Sequence, residues 1–431
     1  MAAPTWEIAC KLRAKAWKLS DKQVIPVPIG DLFPDSTEAG EAMAEHMSDI
    51  LPNIIAGLKE ASMSLAAPTG RSTEETMVGR TKSRQIEITD DIEAIYEHFD
   101  EQRWIDGLPI IPPTTERVEK FVDFVKRDPK DEIGVVMPLK GALTVGKVAV
   151  HAVMAGCRPE YMPLLLTAAA MLGDTKAPMP HVVEDLQVSS HSRHCLVVVN
   201  GPIRKTLGIT SGENGTNVSW RANATIGRAI QLLLNNIGGS PGITGWQTWG
   251  FYVTRGYCMA ENEEQSPWEP FHVEHGFSPE DSTVTVLALE PPHHMEVYAA
   301  VPQVDLLMQF ARSMCGPAFR DSYGTTYPTL IFGPDQAKGI ANAGFTKKDV
   351  KQFFFEHART PYKEFGENAG ERWKAHHKQF FTHSPDALVP MVADPEEFSI
   401  FVIGGPGPQS LHLPCHRFPV EHCIRRIEVN A

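Results

Sequence analysis

Residues Trp220 to Arg228 (WRANATIGR) carry the strongest chemical signal in the chain. The helical reading of Asn223–Leu234 puts Arg221, Asn223, Thr225 and Arg228 at its first turns. Backbone N–H groups and the dipole at a helix start attract anions, and an arginine there can grip a carboxylate or phosphate with two hydrogen bonds. The preceding stretch from Gly201 is polar, nearly free of hydrophobic periodicity, and holds Gly208, Gly212 and Gly215 among Ser, Thr and Asn. Long loops of this kind are usually functional or disordered, and Trp220 with the helix behind it argues against disorder. The spacing fits neither a phosphate loop of the Walker type nor a dinucleotide fingerprint. An anionic small molecule is therefore expected; the competing reading pairs the arginines with the acidic surface.

Three further clusters could supply reactive groups. Glu261, Glu263, Glu264, Glu269, Glu274, His272 and His275 fall within fifteen residues. A carboxylate beside a histidine can exchange protons or bind a metal, and Glu261 and Asn262 are the site candidates there. The segment before the strand CLVVVN offers His191, His194 and Cys195 as ligands for a transition metal, iron or zinc. His191 is also a candidate acid or base. In the turn AGCRPEY, Cys157 lies next to Arg158 and just before a helix, where charge and dipole favour a thiolate. Cys157 is the expected nucleophile, although a small buried thiol filling a helix–helix turn reads equally from the same residues. A fourth cluster, His412, Cys415, His416, His422 and Cys423, follows the loop GGPGPQS. Its spacing matches no structural zinc module, and the glycines of 404–410 fit backbone contact with a ligand better.

The elements that would position these groups read as α/β. Helices are expected at Asp90–Glu101, Thr115–Lys126, Thr144–Met154, Pro159–Met171, Asn223–Leu234 and Lys347–Ala358. Strands are expected at Cys195–Asn200, Thr283–Leu289, Thr329–Phe332 and Phe398–Ile403. Three strands end alike, in VVVNGP, TLIFGP and FVIGGP. An apolar run that stops in Gly-Pro leaves its sheet through a forced turn, and ligands of open α/β sheets gather beyond the carboxyl ends of strands. Domain organisation follows from composition. Residues 1–66 form a small, incomplete α/β segment with one strand, Gln23–Val27, between two helices. Residues 67–89 form a polar linker, and 90–431 form the main mixed, layered sheet-and-helix domain.

Composition excludes several classes. The net charge of −13 opposes nucleic acid and anionic membrane as partners. No run of eighteen apolar residues exists to span a bilayer, and MAAPTWEIACKLRAKAWKLSDK carries no long apolar core of a secretory signal. Seven scattered cysteines without a CxxC pair fit a reducing cytoplasm.

Two regions resemble a known group. QVIPVPIGDLFPDS resembles the carboxyl end of small bacterial proteins named for a UGSC motif, which contain selenocysteine or cysteine. The main body, through DGLPIIPPT, AGCRPEY, VVNGPI, WRANATIGR, AENEEQSPWEP and GGPGPQS, resembles larger uncharacterised bacterial proteins associated with the same group. The CGSC element itself does not occur in this sequence. The resemblance implies site positions at Cys157, Arg158, His191, Arg221, Asn223, Arg228, Glu261 and Asn262. It also implies a separate UGSC-type partner subunit docking on the incomplete N-terminal segment, and hence an oligomer. The expected function is an enzyme, or subunit of a catalytic complex, acting on a small anionic substrate by thiol- or metal-assisted lyase, hydrolase or redox chemistry. The alternative is a non-catalytic subunit that docks and stabilises the redox-active partner.

Overall fold

The computed structural model describes residues 85–176, 179–188, 194–216, 220–239, 256–297, 301–316, 327–365, 384, 386–414 and 423–428. Two units divide after Gly79, inside the segment read as a linker. The N-terminal segment 1–66, with its strand and its proposed docking role, lies outside the described residues, as do His191, Cys415, His416 and His422.

The second unit is α/β, as its sequence pattern predicts. Helices α1 (Ile92–Glu101) and α2 (Thr115–Val125) lead into a hairpin of β1 (Glu132–Val136) and β2 (Gly141–Thr144), followed by α3 (Val145–Ala155), α4 (Met162–Leu172) and α5 (Met179–Val188). Next come β3 (His194–Asn200), the short α6 (Ile203–Leu207), α7 (Arg221–Leu233) and β4 (Tyr257–Ala260). A short α8 (Phe271–Glu274) precedes β5 (Thr283–Leu289), β6 (His293–Glu296) and α9 (Gln303–Met314). The chain continues through β7 (Thr329–Phe332), α10 (Pro334–Asn342), α11 (Lys347–His357), β8 (Arg359–Pro361) and β9 (Leu388–Pro390). It finishes, among the described residues, with β10 (Ser399–Val402), β11 (Gln409–Leu413) and β12 (Ile424–Arg426).

Capping explains several boundaries. Asp91 and Thr144 each accept from a backbone N–H of the following first turn, at Ala94 and Lys147. Gly156 closes α3 in the left-handed conformation, and Thr346 with Asp349 forms a capping box on α11.

Two four-stranded sheets carry the architecture, ordered β12-β5-β3-β4 and β10-β7-β11-β6. Both are mixed: β3 runs parallel to β4 and antiparallel to β5, while β10 runs parallel to β7. All seven positions of β3 and of β5 are buried, so both faces of that sheet are covered. One apolar cluster packs α2 to α4 and α7 against it. A second packs α9 and α11 on the other sheet, through Phe310, Phe332, Phe354 and Phe398.

The placement of α7 matters most for the site. A Cβ on Gly227 would lie 2.1 Å from the Gly256 carbonyl oxygen, so only glycine lets this helix approach β4 so closely. Four residues earlier, Asn223 donates to the Cys258 carbonyl. The helix thus runs against the direction of β4, and its first turn comes to the carboxyl edge of β3 and β4.

Candidate active site at the carboxyl edge of β3 and β4

The strand ends that share a Gly-Pro exit meet at one edge. Asn262, just past β4, donates its N–H to the Val402 carbonyl and its side-chain amide to Gly404, past the end of β10. Ile403 donates to Phe332 at the end of β7. The polar loop after α6 is anchored to the same place: Gly404 donates to the Ser211 carbonyl, and Thr210 exchanges two hydrogen bonds with the Asn223 amide. Internal tethers therefore order its described part, 208–216, and a bound ligand is not required for that.

At this edge sits a buried cluster of acids around one arginine. Gly201, at φ +83°, turns the chain out of β3 where a Cβ would strike the Asp281 carbonyl at 2.0 Å. The turn delivers Arg204, 4% exposed, into the interior. All five guanidinium donors are engaged. Nε donates to the Gly201 carbonyl, Nη1 to the Glu261 carbonyl (2.6 Å) and Glu264, and Nη2 to Glu263 (2.6 Å) and Glu264 (3.1 Å). Glu263 also accepts from the Gly201 N–H at 2.7 Å and from Asn200 Nδ2 at 3.0 Å. Partial burial works against the charge of Glu264, but hydrogen bonds from Arg204 and Lys205 hold its pKa at about 2.

Glu261 differs from its neighbours. It is fully buried, and its Oε2 accepts from Asn200 Nδ2 (2.6 Å) and from the Phe271 N–H (2.8 Å). Its Oε1 has no hydrogen-bond partner, and neither has Asn200 Oδ1. Burial pushes the carboxyl above the ordinary glutamate range, against the pull of Lys347 and of these two donors. His272, also fully buried, lies with Nδ1 3.8 Å from Glu263 Oε1. Burial holds its pKa below the usual histidine value, and the Glu263 carboxylate opposes that shift. A second ionic layer braces the loop: Lys347 donates to the Glu269 carbonyl and Glu274, and Lys351 bridges Glu274 and Glu396.

The other expected site residues have different roles. Arg228 is not an anion grip. Nε and Nη2 bind both oxygens of the nearly buried Asp106 (2.9 and 2.8 Å), and Nη2 also reaches the Leu108 and Pro109 carbonyls. Asn223 is not a ligand side chain either, because its oxygen and nitrogen are occupied by Thr210 and Cys258. Arg221 clamps the turn after α3 through the Gly156 and Cys157 carbonyls, yet stays exposed. Arg158 is exposed in that same turn.

The thiolate expected at Cys157 does not fit the burial of its side chain. Its Sγ points inward and donates to the Thr225 carbonyl (3.3 Å). Burial pushes the thiol up to about 12, outweighing the Thr225 hydrogen bond and the charges of Arg221 and Arg228. Of the expected metal set, His191 lies outside the described residues. His194 and Cys195 are consecutive in a strand, so their side chains leave opposite faces and cannot close on one ion. Among the described residues, no three His, Cys, Asp or Glu side chains are grouped to hold a metal.

Sequence reasoning named Glu261 and the acidic cluster but passed over Asn200, Arg204 and Thr283. Arg204 lies in the polar stretch after Gly201. Its signal was the adjoining strand exit, which forces the next turn inward. Compared with known proteins, the chain has no significant match among family models, curated proteins or solved structures.

Proposed function

We propose that this chain is an enzyme that moves a proton on a small anionic substrate at the carboxyl edge of β3 and β4, with Glu261 as its acid–base group. The observation that carries the reading is a fully buried carboxyl with one oxygen committed to two donors and the other uncommitted. Burial that raises a carboxyl toward neutrality is how a glutamate becomes able to give and take a proton near pH 7. Arg204 and Lys205 together neutralise Glu263 and Glu264, which keeps two further negative charges tolerable beside it. Glu264, about half exposed, marks the side from which the cluster meets solvent. The substrate's anionic end is assigned to the exposed Arg158, in the turn after α3 that Arg221 clamps.

Lyase or hydrolase chemistry fits a proton-transfer group. Thiol redox chemistry at Cys157 does not, given its burial. The alternative of a non-catalytic subunit docking a UGSC-type partner leaves a buried, half-satisfied carboxyl without a role, and such groups are costly to retain. Cys157, Cys195 and Cys258 are free thiols, which supports placement in the cytoplasm.

The test is a panel of small carboxylic and phosphorylated acids incubated with the purified chain and followed by proton NMR. Wild type is expected to consume at least one member, and E261Q to lose that turnover by roughly a hundredfold or more while still folding. Full activity of E261Q would remove Glu261 from the chemistry, and no turnover across the panel would overturn the anionic-substrate reading.

A further inference from the structure

The turn between α3 and α4 is packed onto the first turn of α7. Cys157 Sγ donates to the Thr225 carbonyl at 3.3 Å, and the Arg221 guanidinium spans the Gly156 and Cys157 carbonyls at 3.0 and 3.3 Å. Arg158 follows at once. Tyr161 donates its N–H back to the Arg158 carbonyl at 3.1 Å, which closes one tight turn around both residues. Tyr161 is 3% exposed, yet its hydroxyl keeps contact with solvent and has no hydrogen-bond partner among the described residues. Burial raises the Tyr161 pKa, and the charges of Arg158 and then Arg221 oppose that shift. Both guanidinium groups therefore stand within electrostatic reach of this one oxygen.

Donors at this turn outnumber their protein acceptors. Arg158 is exposed and makes no hydrogen bond or ion pair with a described residue. Arg221 commits Nε and Nη2 to the two carbonyls, which leaves Nη1. No side chain caps the start of α7 at Trp220, so the N–H groups of its first turn add positive potential beside Arg221. The one acid in the turn, Glu160, is exposed and acts on the Tyr161 hydroxyl less than either arginine. The ligand implied is an anion, and the donor set narrows its class. A carboxylate is planar and is satisfied by a single two-pronged arginine. A phosphate monoester presents three acceptor oxygens and about −1.5 to −2 charge at pH 7. Two guanidinium groups and a phenol, from three separate side chains, match the phosphate.

We propose that Arg158, Tyr161 and Arg221 form a binding site for the phosphate group of a phosphate monoester. Arg221 is held in place by the carbonyls it clamps, Arg158 closes over the anion from solvent, and Tyr161 donates its otherwise unpaired hydroxyl. That this phosphate is the anionic end of the substrate rests on the function proposed above. The binding itself does not, and it is read without turnover.

The experiment is isothermal titration calorimetry of the full chain with methyl phosphate, inorganic phosphate and acetate at pH 7.5, with ionic strength held constant by sodium chloride. Both phosphates are expected to bind at one saturable site, and acetate roughly tenfold more weakly or worse. R158Q deletes a charge-assisted contact and should weaken methyl phosphate by roughly tenfold or more. Y161F deletes only the hydroxyl and should weaken it by roughly threefold to tenfold. Neither group has a protein partner, so neither substitution removes a contact of the fold. Absence of saturable binding, or an unchanged affinity in either variant, overturns the site. Acetate binding as tightly as methyl phosphate overturns the phosphate assignment. Saturable phosphate binding by a chain that turns nothing over would refute the proposed function alone. Turnover of a carboxylic acid by a chain that binds no phosphate would refute this site alone.

Discussion

Arg204 Nη2 lies 2.6 Å from Glu263 Oε2, with the arginine side chain 5% and the glutamate 12% exposed. A guanidinium taken this far from water is tolerable only because every N–H it carries has an acceptor. Removing either partner leaves an uncompensated charge, which costs about 3–5 kcal/mol. R204M is expected to lose about that much in urea unfolding, and the R204M/E263M double variant less than the sum of the two single losses. A loss below about 1 kcal/mol in R204M would mean that the cluster is solvated rather than buried.

Cys157 is predicted to be unreactive in the native protein. Only the thiolate attacks an alkylating agent, and a thiol held at about 12 supplies almost none at pH 8. Iodoacetamide at pH 8, followed by peptide mass spectrometry, should leave Cys157 unmodified in buffer and label it fully in urea. Native labelling at the rate of glutathione would restore Cys157 as a candidate nucleophile.

His151 should make the protein acid-sensitive in a defined window. Its Nδ1 contacts the Lys147 carbonyl at 2.7 Å and its Nε2 the Asn236 amide at 3.0 Å, and burial lowers its pKa to about 4. The folded value lies below the ordinary value of 6.5. The contribution is thus fully present above pH 6.5 and lost as pH falls toward 4. The separation corresponds to about 3 kcal/mol. His194, also lowered to about 4 by burial, acts in the same sense. Stability by urea unfolding at pH 7, 5.5 and 4 should therefore fall in wild type and fall less steeply in H151Q. An unchanged slope in H151Q would assign the acid sensitivity elsewhere.

The sequence by itself determined the elements and the neighbourhood of the site. Runs such as CLVVVN and TVTVLAL could be read as strands because β-branched residues between turn signals have few other stable conformations. The repeated Gly-Pro exits named the strand ends, and those ends do converge at Asn262, Ile403 and Gly404. The hairpin of β1 and β2, and the strand β4 that opens the acidic cluster, gave no such signal. Their runs are short, and their extended form comes from partners far along the chain.

Only the tertiary structure decided what each polar side chain does, because charge is visible in a sequence and desolvation is not. Arg221, Arg228 and Asn223 share a helix start with the pattern of an anion grip. Packing against the turn after α3, Asp106 and Thr210 commits them to holding the chain together. Cys157 has the neighbours of a reactive thiolate and the burial of an inert thiol, and burial is the larger effect. Conversely, Arg204 and Thr283 carry no motif. Gly201 and the pairing of β3 with β5 bring one beneath Glu263 and the other into line with Asn200. The contact of Asn200 with Glu261 exists only once strands from distant parts of the chain lie side by side.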